Sequence, residues 1–289
     1  MNANHRRNRP LASLLSLALM AGAGLATATA ASAYNVSACG ALIDASTGNA
    51  TLQANLTYNG SAACLQVKDG VNLDLHGHTI TCQTGSTCGQ AVLCPTVGSN
   101  ASSLVNSGVG SDTITDISGR FTVAVKNCGS VKNLKIVDAT TAIFFDDGTS
   151  SNGQDFTGNV IESHTGGTGI DVKIEDSGDT ISDNRITGGD IGIHLIKGRS
   201  VANGAYVRDN IIRKAAVAGI SCSLTSNDYF RIETNAITDG GSGSVPFSLS
   251  GTHATYTSNI CEDEGAVDNG RCACEMDRFD LNTVGTCPL

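Results

Sequence analysis

Asn159-Val-Ile, Gly169-Ile-Asp-Val, Asn184-Arg-Ile and Gly192-Ile-His-Leu follow one another along the chain as two copies of one pattern. The first mark, an asparagine ahead of a short apolar stretch, recurs at Asn133, Asn159, Asn184, Asn210, Asn235 and Asn259, in steps of 26, 25, 26, 25 and 24 residues. A second mark trails it as Ala142-Ile143, Gly169-Ile170, Gly192-Ile193 and Gly219-Ile220. A fixed period of this length signals stacked units, each burying its apolar face against its neighbours. Polar and apolar residues alternate within each mark, as in a strand, and helical periodicity is almost absent. Two or three short strands per period make one coil of a parallel β-helix. A leucine-rich repeat has a similar period but needs several leucines per unit, and this chain does not supply them. The expected fold is therefore all-β: a single-domain, right-handed parallel β-helix with disulfide-bonded end caps. Stacked at one turn, the six asparagines can bond to one another and to turn backbone, which makes them scaffold rather than site.

Outward from the repeats, both ends change character. Residues 1–33 read as a secretory signal peptide, with Arg6, Arg7 and Arg9, an apolar stretch from Leu11 to Ala28, and the small-residue cleavage motif Ala31-Ser32-Ala33. Residues 34–64 are expected to form an N-terminal cap, 65–262 the β-helix and 263–289 a cysteine-rich C-terminal cap. No later stretch is apolar enough to span a bilayer, so no membrane span is expected after signal removal. All 11 cysteines follow the leader, and export with this many cysteines implies an oxidising compartment, secreted or periplasmic. Cys39, Cys64, Cys82, Cys88, Cys94 and Cys128 precede most of the repeats, and Cys261, Cys272, Cys274 and Cys287 follow them. The last four have spacing a metal could use, but a secreted cysteine knot is the commoner outcome, so no metal ligand is assigned. The odd count leaves one thiol over in a monomer. Cys222 is the candidate, a small core residue at an inward position of the repeat.

The net charge is −9, and without the three leader arginines it becomes more acidic, which excludes nucleic acid as an expected partner. Residues 173–231 hold eight of the basic residues against seven acids. An anionic ligand would meet the chain there, although a well-mixed solvated surface explains the same distribution.

Val71-Asn-Leu-Asp-Leu-His-Gly-His-Thr-Ile80 resembles the opening coil of secreted β-helix proteins of the pectin-lyase-like superfamily, where a Leu-Asp-Leu-x-Gly-x-Thr-Ile run is frequent. The resemblance covers about residues 65–262 and implies the fold. Function is left open, since that superfamily contains lyases, hydrolases, epimerases, adhesins and inert shafts. His76 and His78 are expected as solvent-facing turn residues beside Gly77.

Chemistry follows from register. Equivalent residues of successive coils lie about 4.8 Å apart, so outward residues form columns. Behind the second mark one column reads Phe144, Asp171, His194, Ser221, and the next reads Asp146, Lys173, Ile196, Ser223. Asp171 should therefore neighbour His194, with Lys173 and Asp146 in reach. A carboxylate orients an imidazole, and a base beside a cation is what proton abstraction next to a sugar carboxylate requires. The expected catalytic set is His194 as base or acid, Lys173 as carboxylate neutraliser, Asp171 as orienter and Arg213 as second cation. Asp146, Arg185, Phe144 and Arg199 are expected to contact substrate. Each residue taken singly is equally explained by a cross-strand ion pair on an exposed sheet.

Asp146-Asp147 could hold calcium or serve as paired hydrolytic carboxylates, so calcium is a possible cofactor and none is certain. The Asn-Thr-Asp, Gly-His-Gly and Arg-Ile-Lys elements of polygalacturonase-like hydrolases are absent from the sequence. The expectation is a secreted protein active on an acidic, uronate-containing polysaccharide, most plausibly a lyase. A non-catalytic surface or matrix shaft is the alternative, and a hydrolase or epimerase on the same fold is a third. An ice-binding face would need regular outward threonines, and the Phe144 column is mixed. Oligomeric state is not legible.

Overall fold

The computed structural model describes residues 33–262, excluding 45, 69, 95–103, 109–113, 147–152, 175–178, 198–204, 224–228, 241–243, 251–252 and 258. Residues 1–32 of the expected 1–33 leader, the expected 263–289 cap with Cys272, Cys274 and Cys287, and the candidate residues Asp147 and Arg199 lie outside the described residues. Among the described residues no helix is long and apolar enough to cross a membrane.

The chain coils through three parallel sheets. Among the described residues, sheet 1 has ten strands, from Tyr34–Val36 to His253–Thr257. Among them too, sheet 2 has nine, from Ala41–Ile43 to Val245–Ser250, and sheet 3 has nine, from Leu56–Tyr58 to Ile260–Glu262. Every pairing is with the equivalent strand one coil away, as a parallel β-helix requires. The coiling starts earlier than the expected boundary at 65: strands of the 34–64 segment already belong to the three sheets.

Each sheet sends a β-branched or aromatic column into a common core. In sheet 3 the column is Ile136, Ile161, Ile186, Ile212 and Ile237; in sheet 2 it is Val125, Ile143, Ile170, Ile193, Ile220 and Phe247. Sheet 1 contributes Val131, Phe156, Ile181, Val207 and Ile232. Branched side chains suit a strand whose inner face must be filled one residue per coil. The Gly-Ile mark has a steric cause. A Cβ on Gly169 would sit 2.5 Å from the Gly192 carbonyl oxygen and 2.7 Å from Ile186, and one on Gly192 would sit 2.5 Å from Ile212. Sheet 2 bends in against sheet 3 there, leaving no room for a side chain.

The turn between sheets 1 and 3 carries an amide ladder. Nδ2 of Asn159, Asn184 and Asn210 each donates to Oδ1 of the next asparagine at 2.9 Å, and Asn235 donates to Asn259 at 3.0 Å. Each Nδ2 also donates to a carbonyl of the sheet 1 strand one coil earlier, and each Oδ1 accepts a backbone N–H from the coil before. Polar groups otherwise costly to bury are thus satisfied in series. Asn133 departs from its expected place. Leu134 occupies the ladder position, donating its N–H to Asn159 Oδ1 at 3.0 Å, while Asn133 is exposed one residue earlier with φ 56°. It shares that left-handed position with Gly158, Asp183, Asp209 and Thr234, and asparagine tolerates it better than most residues.

Three disulfides, Cys39–Cys64, Cys82–Cys88 and Cys94–Cys128, brace the N-terminal half. Cys222 lies inward and buried, where burial pushes its thiol well above the ordinary range. His76 is an exposed turn residue with φ 49°, its N–H bonded to Asp74, and His78 is half-buried beside it.

Candidate functional site

Sheet 2 presents the expected columns. Lys126, Phe144, Asp171, His194, Ser221 and Ser248 pair in register on successive strands, and Asp146, Lys173 and Ile196 occupy the column beside them. Inward neighbours fix their direction: Ile170, Val172, Ile193 and Leu195 are buried, so the residues between them face out. Phe145 is buried against Phe156, ring centroids 6.0 Å apart, which turns Phe144 outward.

His194 Nδ1 lies 3.1 Å from Asp171 Oδ1, with side chains 22% and 19% exposed. A carboxylate oxygen accepts, so Nδ1 donates this bond. Lys173 Nζ bonds Asp146 Oδ1 at 2.9 Å, and the Asp146 N–H is tied to Asn127 Oδ1 at 3.0 Å, fixing the strand end that carries the carboxylate. Lys126 Nζ stands 5.6 Å from the Phe144 ring centroid, a cation–π arrangement.

The structure thus brings together Phe144, Asp146, Asp171, Lys173 and His194. Arg185 and Arg213 do not join them. Both are exposed residues of sheet 3, in strands Arg185–Gly188 and Ile211–Arg213. Arg185 instead lines a depression of about 260 Å³ with Gly158, Val160, Asp183, Asp209 and Ile211. Counting residues after the asparagine mark places these arginines near the cluster in sequence, but the chain turns from sheet 3 into sheet 2 before reaching Ile191.

Two groups were not foreseen. Lys126 follows Ala124-Val125, the same small-then-branched mark as Ala142-Ile143, but the coil between them is short and breaks the period. The other lies at the turn between sheets 3 and 2. There His164 Nδ1 donates to Asp138 Oδ1 at 2.7 Å, and Arg120 Nη2 donates to His164 Nε2 at 3.1 Å. Arginine can only donate, so Nε2 accepts from Arg120 and both ring nitrogens are engaged. It is a second Asp–His couple, and it cross-links three successive coils.

Compared with family models, with curated proteins and with solved structures, the chain gave no match in any of the three.

Proposed function

We propose that the chain is an exported polysaccharide-active β-helix protein, similar to the pectin-lyase-like superfamily, that cleaves an acidic, uronate-containing glycan by β-elimination. The observation that carries this reading is the Asp171–His194 couple on an outward sheet face, one column from Lys173. In the proposed reaction His194 Nε2 takes the C5 proton of a uronate, whose acidity rises as Lys173 neutralises the sugar carboxylate. The C5–H electron pair becomes the new C4–C5 double bond as the C4–O4 bond breaks, and the proton returns to the leaving oxygen. Asp171 holds the ring through its bond to Nδ1. Phe144, steadied by Lys126, offers a face for the neighbouring sugar. Three disulfides are compatible with an extracellular setting for such a reaction.

One observation favours a non-catalytic shaft. Lys173 is already ion-paired with Asp146, so a substrate carboxylate must compete with Asp146 for the ammonium. Ultraviolet absorbance of the unsaturated product, followed while the mature protein meets a panel of uronate polymers, separates the two. Elimination on one polymer that falls about 100-fold or more in His194→Gln supports the lyase. No elimination on any polymer, or full activity in His194→Gln, sinks it.

A further inference from the structure

Asp116 immediately precedes strand Ile117–Ser118 of sheet 3 and is wholly buried. Its backbone belongs to the stack. The Ile80 N–H donates to the Asp116 carbonyl at 2.8 Å, and the Asp116 N–H donates to the Lys135 carbonyl at 2.9 Å. Its side chain receives hydrogen bonds from two neutral donors. Oδ2 accepts the Lys135 N–H at 2.8 Å, and the Ser107 hydroxyl donates to the carboxylate as well.

The charged neighbours do not offset a buried negative charge. Asp74 acts on Asp116 with the same sign, and its Oδ1 accepts the N–H of Gly108, the residue after Ser107, at 3.0 Å. The cations of the adjoining coils are engaged elsewhere: Lys132 with Asp155, Lys135 with Glu162 at 3.5 Å, and Arg120 with His164 at 3.1 Å. His76 Nδ1 lies 3.8 Å from Asp74, and His78 is half-buried in the same turn. Among the described residues no cation is ion-paired with Asp116. Taking a carboxylate out of water without a counter-charge is costly, and neutral donors offset only part of the cost. Burial first, then the charge of Asp74, push the carboxyl up to about 6 against the pull of its two donors.

We propose that Asp116 makes the stacking of the N-terminal coils pH-sensitive: its neutral acid is accommodated between strands Asn72–Asp74, Leu104–Asn106 and Ile117–Ser118, and loss of its proton weakens their hold on one another. The folded chain holds this proton more tightly than the unfolded chain, where the carboxyl returns to its ordinary value of 3.8. Stability therefore falls as pH rises from about 4 to about 6 and is level above that window, as far as this group is concerned. The device is separate from the sheet 2 cluster, so it stands or falls independently of the lyase reading.

Urea unfolding of the mature protein, beside that of Asp116→Asn, tests it at about pH 4.5 and about pH 7.5, on either side of most of the titration. The amide is isosteric, keeps an acceptor for the Lys135 N–H and does not titrate. Relative to the variant, the folding equilibrium of the parent should weaken roughly 30-fold between the lower and the higher pH. Only the change of that ratio with pH is read, so a uniform packing loss in the variant does not disturb the result. Two further variants serve should Asp116→Asn not fold. Asp74→Asn removes the repelling charge and should shrink the pH dependence of the parent, whereas Ser107→Ala removes a donor to the ionised form and should enlarge it. A parent-to-variant ratio that is the same at both pH values overturns the proposal. So does an unchanged pH dependence in both Asp74→Asn and Ser107→Ala.

Discussion

Asn210 Oδ1 receives two hydrogen bonds from Asn184, one from its backbone N–H at 3.1 Å and one from Nδ2 at 2.9 Å. Both residues are buried, so neither donor has water to fall back on. Asn210→Ala should therefore strand two donors of Asn184 and cost about 3 kcal/mol, far more than an exposed asparagine would. Asn133→Ala, outside the ladder, serves as the control and should cost under about 1 kcal/mol. Chemical denaturation of the two variants decides it. Equal losses would mean that the ladder adds nothing beyond ordinary turn bonding.

Gly192→Ala makes the opposite kind of test, adding a methyl where the sheets touch. The new Cβ would lie 2.6 Å from the Gly219 carbonyl oxygen as well as against Ile212. Backbone cannot yield as a side-chain tip can, so we expect a loss of about 1–3 kcal/mol. Pairing it with Ile212→Ala, which removes the Cγ2 that the new Cβ would meet at 2.5 Å, should show a smaller loss than the two single changes added together if the clash with Ile212 is the cause. A double-mutant cycle read by denaturation would reveal no coupling if it is not.

Asp171→Asn should leave the fold intact, since Asp171 lies on the outer face of sheet 2. Once a uronate substrate is in hand, turnover should fall about 10- to 100-fold, through loss of the group that orients His194. KM should change much less than kcat, because the amide still occupies the same place on the surface. A change confined to KM would assign Asp171 to substrate contact instead.

The Cys94–Cys128 bridge closes a loop of sequence separation 34 across neighbouring coils. Replacing both cysteines with alanine should lower stability by about 2–4 kcal/mol through the greater freedom of the unfolded chain. The loss should match the effect of a reductant on the same bond. Unfolding of the double variant that proceeds as in the parent would show that the core already holds those coils.

How much of this was legible depended on where the period stayed regular. The marks Ala142-Ile143, Gly169-Ile170, Gly192-Ile193 and Gly219-Ile220 fix which residues face out, and Asp171 therefore meets His194 as the spacing demands. Sheet identity was harder to read. Arg185 and Arg213 sit a few residues from the marks, yet belong to another face, because a coil of about 25 residues turns sharply between its strands. Asn133 misled because the asparagine pattern continues in letters while the ladder position shifts by one, to Leu134. Upstream the coils are unequal: Ile80 pairs with Ile117, 37 residues on, and Ile117 with Ile136, only 19 on. That irregularity hid Lys126, Asp116 and Arg120, whose partners are set by stacking and not by a count along the chain.

In-register stacking also sets the grammar by which this surface can change. A side chain is addressed by coil and column, so its neighbours are the residues one coil above and below. Losing or duplicating a whole coil leaves every column continuous and merely introduces new neighbours, such as a second acid or a cation beside His194. Losing one residue inside a strand throws that strand out of phase and turns its core residues toward solvent. The turns absorb such a change, as coil steps of 24 to 26 residues attest, so length is editable between strands and fixed within them.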